Sequence, residues 1–149
     1  MKISVLNGPN LNMLGKRDPE QYGSATLQDI EQLLIDSFPS HDMTFSQSNL
    51  EGELVEAIQS LMDSDFDGVI VNFGGFSHTS VAIRDALDLV DIPIVEVHLS
   101  NIHGREYFRE RTLTGAVADG IITGFGKQSY LLGVHALEKL IADNQPHFE

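Results

Sequence analysis

Tyr22 follows Arg17 by five residues inside the polar run Asn7-Gly8-Pro9-Asn10-Leu11-Asn12-Met13-Leu14-Gly15-Lys16-Arg17-Asp18-Pro19-Glu20-Gln21-Tyr22-Gly23. A phenol that close to a guanidinium is a candidate base. Tyrosine titrates near ~10, and a cation within ~4–6 Å favours the phenolate, so a shift of ~2 units needs only ~2.7 kcal/mol of differential interaction. Gly8, Gly15 and Gly23 with Pro9 and Pro19 give this loop fixed bends and ends that can move. A second chemical pair is Glu96 and His98. Two apart on a strand, they share a face, where the carboxylate can orient or charge the imidazole and make it an acid. Near them Arg105 and Arg109 are spaced four apart, which puts them on one face if that segment is helical. The stretch from Asn72 to Ser80, with Gly74, Gly75 and His78, combines glycines that let backbone approach a ligand with hydroxyls that can cap the next helix.

Such groups need a scaffold that brings them together. Short β-branched runs alternate with helical patterns along the whole chain, which predicts βαβ units and a parallel sheet. Five strands are expected at Lys2–Leu6, Met43–Gln47, Gly68–Phe73, Ile94–Leu99 and Gly120–Thr123, the third and fourth the most apolar and therefore central. Helices are expected after Thr26, through Leu54 to Met62, over Ser80–Val90, and over Ser129–Asp143 with a stripe of Leu131, Val134, Leu137, Leu140 and Ile141. The fold class is α/β, a flavodoxin-like three-layer α/β/α sandwich with a five-stranded parallel sheet of order 2-1-3-4-5, and 1–149 is expected to be one domain. This architecture binds ligands beyond the carboxyl ends of its strands. All three polar segments open there.

Composition narrows the partners. The formal charge of −13 argues against nucleic acid and anionic membranes, both of which are bound through lysine and arginine. It also means that an anionic ligand would depend on concentrated cations, and three of the nine, Arg105, Arg109 and Arg111, lie within seven residues. With no cysteine there are no disulfides, thiolate metal ligands or thiol nucleophiles. The opening Met1–Leu6 is too short and too soon interrupted by Asn7 for a signal peptide, so a soluble, cytoplasmic protein is expected. Lys2, Lys16, Lys127 and Lys139 all read as strand-start, loop or helix-surface positions, and none suits a desolvated imine-forming lysine. A phosphorelay receiver would need acids where Asn7 and Asn72 stand, and a flavodoxin a Ser/Thr-Gly phosphate loop after the first strand.

Several runs together carry a resemblance: Asn7 to Asn12, Tyr22-Gly23, Gln47 to Leu54, His78 to Ala86, and Val95 to Asn101. In these the chain resembles type II 3-dehydroquinate dehydratase over nearly its whole length. The resemblance implies metal-free, cofactor-free conversion of 3-dehydroquinate to 3-dehydroshikimate and water by anti elimination through an enol(ate), the third step of chorismate (shikimate pathway) biosynthesis and also a step of quinate catabolism. By the same resemblance Tyr22 is the proton acceptor, His98 the proton donor supported by Glu96, Arg17 a lid residue that stabilises developing negative charge, and Asn10 the partner of the enolate oxygen through a water. Asn72, His78, Asp85 and Arg109 are implied as contacts to the substrate hydroxyls and ring, with the Leu99 and Ser100 amides on its carboxylate. Asp85 is implied to reach in from a neighbouring subunit of a homododecamer, a tetramer of trimers. The chain departs from the usual family pattern at Phe73, Phe76, Ser77, Gly104 and Gly115, which bear on the turn after the third strand and on the arginine segment.

Overall fold

The computed structural model describes residues 1–16 and 18–144. Five parallel strands, β1 (Lys2–Asn7), β2 (Asp42–Gln47), β3 (Gly68–Asn72), β4 (Ile94–His98) and β5 (Gly120–Thr123), form one sheet in the order β2-β1-β3-β4-β5. This is the flavodoxin-like α/β arrangement that the alternating pattern predicts. Every residue of β3 and β4 is buried, whereas edge strand β2 alternates between exposed and half-buried positions. Central strands covered on both faces are mainly apolar, as Val69, Ile70 and Val71 are, the polar exceptions Asn72, Glu96 and His98 falling toward the carboxyl ends.

Strand alternation divides the core into two layers. Ile3, Val5, Ile70, Val95 and Val97 point to one face, under Leu27, Ile30 and Leu34 of α2 (Leu27–Ser37) and Val134 and Leu137 of α6 (Gln128–Asp143). Leu6, Val69, Val71 and Ile94 point to the other, under Leu54 and Ile58 of α3 (Glu51–Gln59) and Ile83 and Leu87 of α5 (Val81–Leu87). Glu96 and His98 follow Ile94 at the strand period, so they emerge on this second face. Two single-turn helices complete the set, α1 (Pro19–Tyr22) in the loop after β1 and α4 (Phe76–Thr79) before α5. No helix among the described residues is long and apolar enough to cross a membrane.

Local chemistry sets the helix starts. Thr26 accepts from the Asp29 amide while the Asp29 carboxylate accepts from the Thr26 amide, a full capping box. The helix expected over Ser80–Val90 is α5, with Ser80 as its N-cap, the hydroxyl accepting from the Ile83 amide at 3.0 Å and donating to Glu51 at 2.7 Å. In α6 the stripe is shifted: Tyr130 is fully buried, whereas Leu131 is only half-buried.

The start of the loop after β1 is pinned at Gly8 and Asn10. Asn10 adopts left-handed backbone (φ 70°), its amide donating to Asn49 Oδ1 at 2.9 Å, while Gln47 Nε2 donates to the Gly8 carbonyl at 3.2 Å. Gly8 passes so close to the turn after β3 that a Cβ there would lie 2.5 Å from the Phe73 carbonyl oxygen. Only glycine fits.

Candidate active site

At the carboxyl ends of the strands lies a cavity of about 100 Å³, small beside the roughly 300–1,000 Å³ of drug-sized ligand sites and suited to a small metabolite. The loop after β1 contributes Asn10 and Tyr22, the turn after β3 Gly74, Gly75 and His78, and the segment after β4 Leu99, Ser100, Arg105 and Arg109. Asn72 and His98 reach it from their strand ends. Among the described residues no aspartate or glutamate lines it. Arg17 lies outside the described residues, and Asp85 sits exposed on α5 and does not line the cavity of its own chain.

The Glu96–His98 pair is formed as strand alternation predicts, with His98 Nε2 3.0 Å from Glu96 Oε2 and both side chains buried. Three donors converge on that carboxylate: His98, the Thr112 hydroxyl at 2.7 Å and the Thr114 hydroxyl. With Glu96 accepting throughout, the proton on Nε2 is committed to it, and Nδ1 is the ring nitrogen left for a ligand.

His78 stacks against His98, ring centroids 5.8 Å apart. Its Nδ1 lies 2.7 Å from the Arg111 carbonyl, an acceptor only, so Nδ1 carries the proton. Burial pushes the His78 pKa below its ordinary value, reinforced by His98 and Arg109 and opposed by the Arg111 hydrogen bond and Glu96. At neutral pH it is therefore an uncharged imidazole with Nε2 as acceptor.

Among the described residues Arg105 lies against the Tyr22 ring, its guanidinium carbon 5.0 Å from the ring centroid. Arg105 also donates to the Ser100 hydroxyl at 3.4 Å. The arginine segment is not α-helical: Tyr107–Arg109 is a single 3₁₀ turn and Arg105 is extended. Both arginines line the cavity because the chain turns back, not because they share a helix face. Arg109 donates to Glu106 at 2.5 Å, and that contact holds the Glu106 carboxyl below the usual range.

Asn72 is oriented from behind. Its Nδ2 donates to the Tyr130 hydroxyl at 2.9 Å, the hydroxyl donates to Asn7 Oδ1 at 2.6 Å, and Asn72 Oδ1 accepts from the Gly74 amide at 3.2 Å. Burial raises the Tyr130 pKa above its ordinary value, so the hydroxyl remains a donor. Sequence reasoning did not single out Tyr130, Thr112 or Thr114. For Tyr130 a signal existed, since it precedes Val134 and Leu137 at helical spacing; the threonines have none.

A parallel sheet of this order, with an acid–base pair and a guanidinium-flanked phenol at its switch point, defines an α/β enzyme of the small-metabolite type. Comparison with known proteins narrows this. The family model described as class II dehydroquinase matches residues 1–138. A 3-dehydroquinate dehydratase of Exiguobacterium sp. (strain ATCC BAA-1283 / AT1b) is 49% identical over 138 residues, covering 92% of this chain and 94% of its own. One of Helicobacter acinonychis (strain Sheeba) is 46% identical over 147 residues, covering 96% and 88%. The crystal structure of the type II dehydroquinase from Butyrivibrio crossotus DSM 2876 superposes with a TM-score of 0.90 at 38% identity, covering 93% of this chain and 97% of that one. The chain belongs to the class II dehydroquinase family and is an enzyme of the hydro-lyase type.

Proposed function

We propose that the protein dehydrates 3-dehydroquinate to 3-dehydroshikimate by acid–base elimination, without a metal or covalent intermediate. Tyr22, as phenolate, takes a proton from C2, and the C–H electrons move into the C3 carbonyl to give an enol(ate). Collapse of the enolate forms the C1–C2 double bond and expels the C1 hydroxyl, which leaves as water with the Nδ1 proton of a doubly protonated His98, the Nε2 proton staying on its bond to Glu96. Tyr22 has then gained one proton and His98 lost one, and solvent exchange restores both. Arg105, and Arg17 by resemblance, stabilise the negative charge that develops. Asn10 meets the enolate oxygen through a water, the Leu99 and Ser100 amides hold the carboxylate, and Asn72, His78 and Arg109 contact the hydroxyls and ring.

The observation that carries this reading is one mouth, lined by no carboxylate among the described residues of the chain, at which the Tyr22–Arg105 contact and the Glu96–His98 pair stand together. The names of the relatives give the substrate. Asp85 serves a neighbouring copy in a homododecamer of four trimers; Val81 on α5 and Leu89 just past its end, 58% and 55% exposed, are apolar surface near it that a second copy would cover. A cytoplasmic setting goes with either pathway in which the reaction occurs.

The test is direct. Purified protein should convert 3-dehydroquinate to an enone absorbing in the near ultraviolet, at the same rate in chelator and after treatment with borohydride plus substrate. Tyr22→Phe should abolish turnover while retaining a substrate analogue; a rate within a few-fold of wild type would remove Tyr22 from the base role. A flat trace from the wild-type protein would instead leave a non-catalytic relative that keeps the polyol-acid pocket.

A further inference from the structure

His98 can donate to a departing hydroxyl only if its imidazole is held with Nε2 on Glu96, so the acid step depends on what holds Glu96. That carboxylate is fully buried on the sheet, and two hydroxyls grip it from a segment without regular helix. We propose that Thr112 and Thr114 are positioning residues that fix the Glu96 carboxylate, and through it the orientation and tautomer of His98. The proposal rests on the dehydratase reading and assigns the residues that keep its acid in place.

Proton accounting supports it. The Gly115 amide donates to Thr112 Oγ1 at 3.0 Å, which occupies a lone pair of that oxygen and turns its own proton outward. Three acceptors lie in reach, the Ser77 carbonyl at 3.3 Å, Thr114 Oγ1 at 3.2 Å and Glu96 Oε2 at 2.7 Å, and the last is nearest. Thr114, itself fully buried, gives its proton to Oε1. One hydroxyl on each oxygen fixes the plane of the carboxylate, and the free direction at Oε2 is the one His98 Nε2 occupies.

The grip is also steric. A Cβ at Gly115 would lie 2.5 Å from Thr112 Cγ2, 2.5 Å from Ile121 Cδ1 and 2.8 Å from Glu96 Oε2. The backbone of residue 115 therefore closes the space into which the carboxylate would otherwise swing, and this accounts for glycine there. The Leu113 amide anchors the segment by donating to the Ser77 carbonyl at 2.7 Å, so the grip is tied to the same turn that carries His78.

Thr114→Val keeps the shape and removes one hydroxyl. It should lower kcat about tenfold with KM within twofold, and Thr114→Ser should recover most of the loss; Thr112→Val should act in the same direction. A structural role alone would not predict the next result: in a Glu96→Gln background, adding Thr114→Val should change kcat by less than twofold, because the residue acts only through the carboxylate. Imidazole nitrogen NMR of neutral His98, the form left once Nδ1 has given up its proton, should show the Nε2–H tautomer in the wild type and a mixture of tautomers in Thr112→Val, a readout independent of turnover. An active wild type with kcat of both valine variants within twofold, an equal tenfold loss in the Glu96→Gln background, or an unchanged tautomer in Thr112→Val would overturn the proposal. An inactive wild type whose His98 tautomer still responds would instead remove the dehydratase reading and leave the positioning role standing.

Discussion

Deleting one oxygen, in Tyr130→Phe, tests whether the floor of the site is held by hydrogen bonding or by packing. The hydroxyl is fully buried, donates to Asn7 Oδ1 at 2.6 Å and accepts from Asn72 Nδ2 at 2.9 Å. Asn7 Nδ2 has no partner among the described residues, so the tyrosine makes the only side-chain hydrogen bond described for that amide. Phenylalanine fills the same space but strands an acceptor on Asn7 and a donor on Asn72. Each stranded group costs about 1–3 kcal/mol. Since the desolvation cost of the hydroxyl disappears with it, the net loss should lie near the lower end, about 2 kcal/mol. For a chain of 149 residues the unfolding entropy is roughly 0.3 kcal/mol/K, so Tm should fall by about 6 °C. The measurement is calorimetry or circular dichroism at one fixed protein concentration, because association shifts Tm by mass action. Kinetics supply a second axis: with its amide released, Asn72 should no longer present a fixed edge to the cavity, and KM should rise several-fold more than kcat falls. A Tm within about 1 °C of wild type together with an unchanged KM would refute the reasoning, and the tyrosine would then be packing only.

Two further outcomes follow from the same geometry. His78 has a folded-state pKa below its unfolded value near 6.5, mainly through burial. The unfolded chain therefore takes up the proton first, and the stability this group contributes is whole above pH 6.5 and is lost as pH falls through the folded value. Urea unfolding at pH 7.5 and 5.5 should show the wild type losing more stability than His78→Gln; equal losses would contradict the assignment. Gly8→Ala should cost about 3 kcal/mol or leave the protein insoluble, since its Cβ would meet the Phe73 backbone at 2.5–2.6 Å and backbone cannot yield as a flexible side chain can. Gly52→Ala, with nothing within 4 Å of its Cβ on helix α3, is the control and should be neutral or stabilising by up to about 1 kcal/mol.

What could be read from the residues alone divides by the range of the interaction. The alternation of strands and helices and the two-faced core follow from local periodicity, and a two-residue spacing on one strand puts Glu96 and His98 on the same face. The pinning of the first loop was not visible that way: Gln47 and Asn49 stand in a motif of the sequence, but their role as anchors of Gly8 and Asn10 exists only once β1 and β2 pair. Tyr130 bonds to Asn7 across a separation of 123 residues, and Thr112 and Thr114 reach Glu96 from a segment without regular periodicity. Arg105 on the Tyr22 ring is the same kind of case, a contact between two loops set by the sheet beneath them. Arg17, the cation expected beside Tyr22, lies outside the described residues, and Arg105 is a contact that spacing along the chain does not reveal.

Charge brings these contacts together. A chain of formal charge −13 repels an anion at long range, so binding one requires a local reversal of sign at the site. Arg109 supplies little of it, because its Nε is already bonded to the Glu106 carboxylate at 2.5 Å. Arg105 forms no carboxylate pair within 4.0 Å among the described residues; its guanidinium lies on the Tyr22 ring face and donates to the Ser100 hydroxyl. The buried Glu96 is kept from undoing the reversal because its oxygens are taken by His98, Thr112 and Thr114 beneath the cavity, not exposed in its wall. The donors that grip Glu96 therefore do two jobs in one arrangement, orienting the imidazole and turning the carboxylate away from the ligand, while Arg105 remains a cation of the described mouth that no described carboxylate holds.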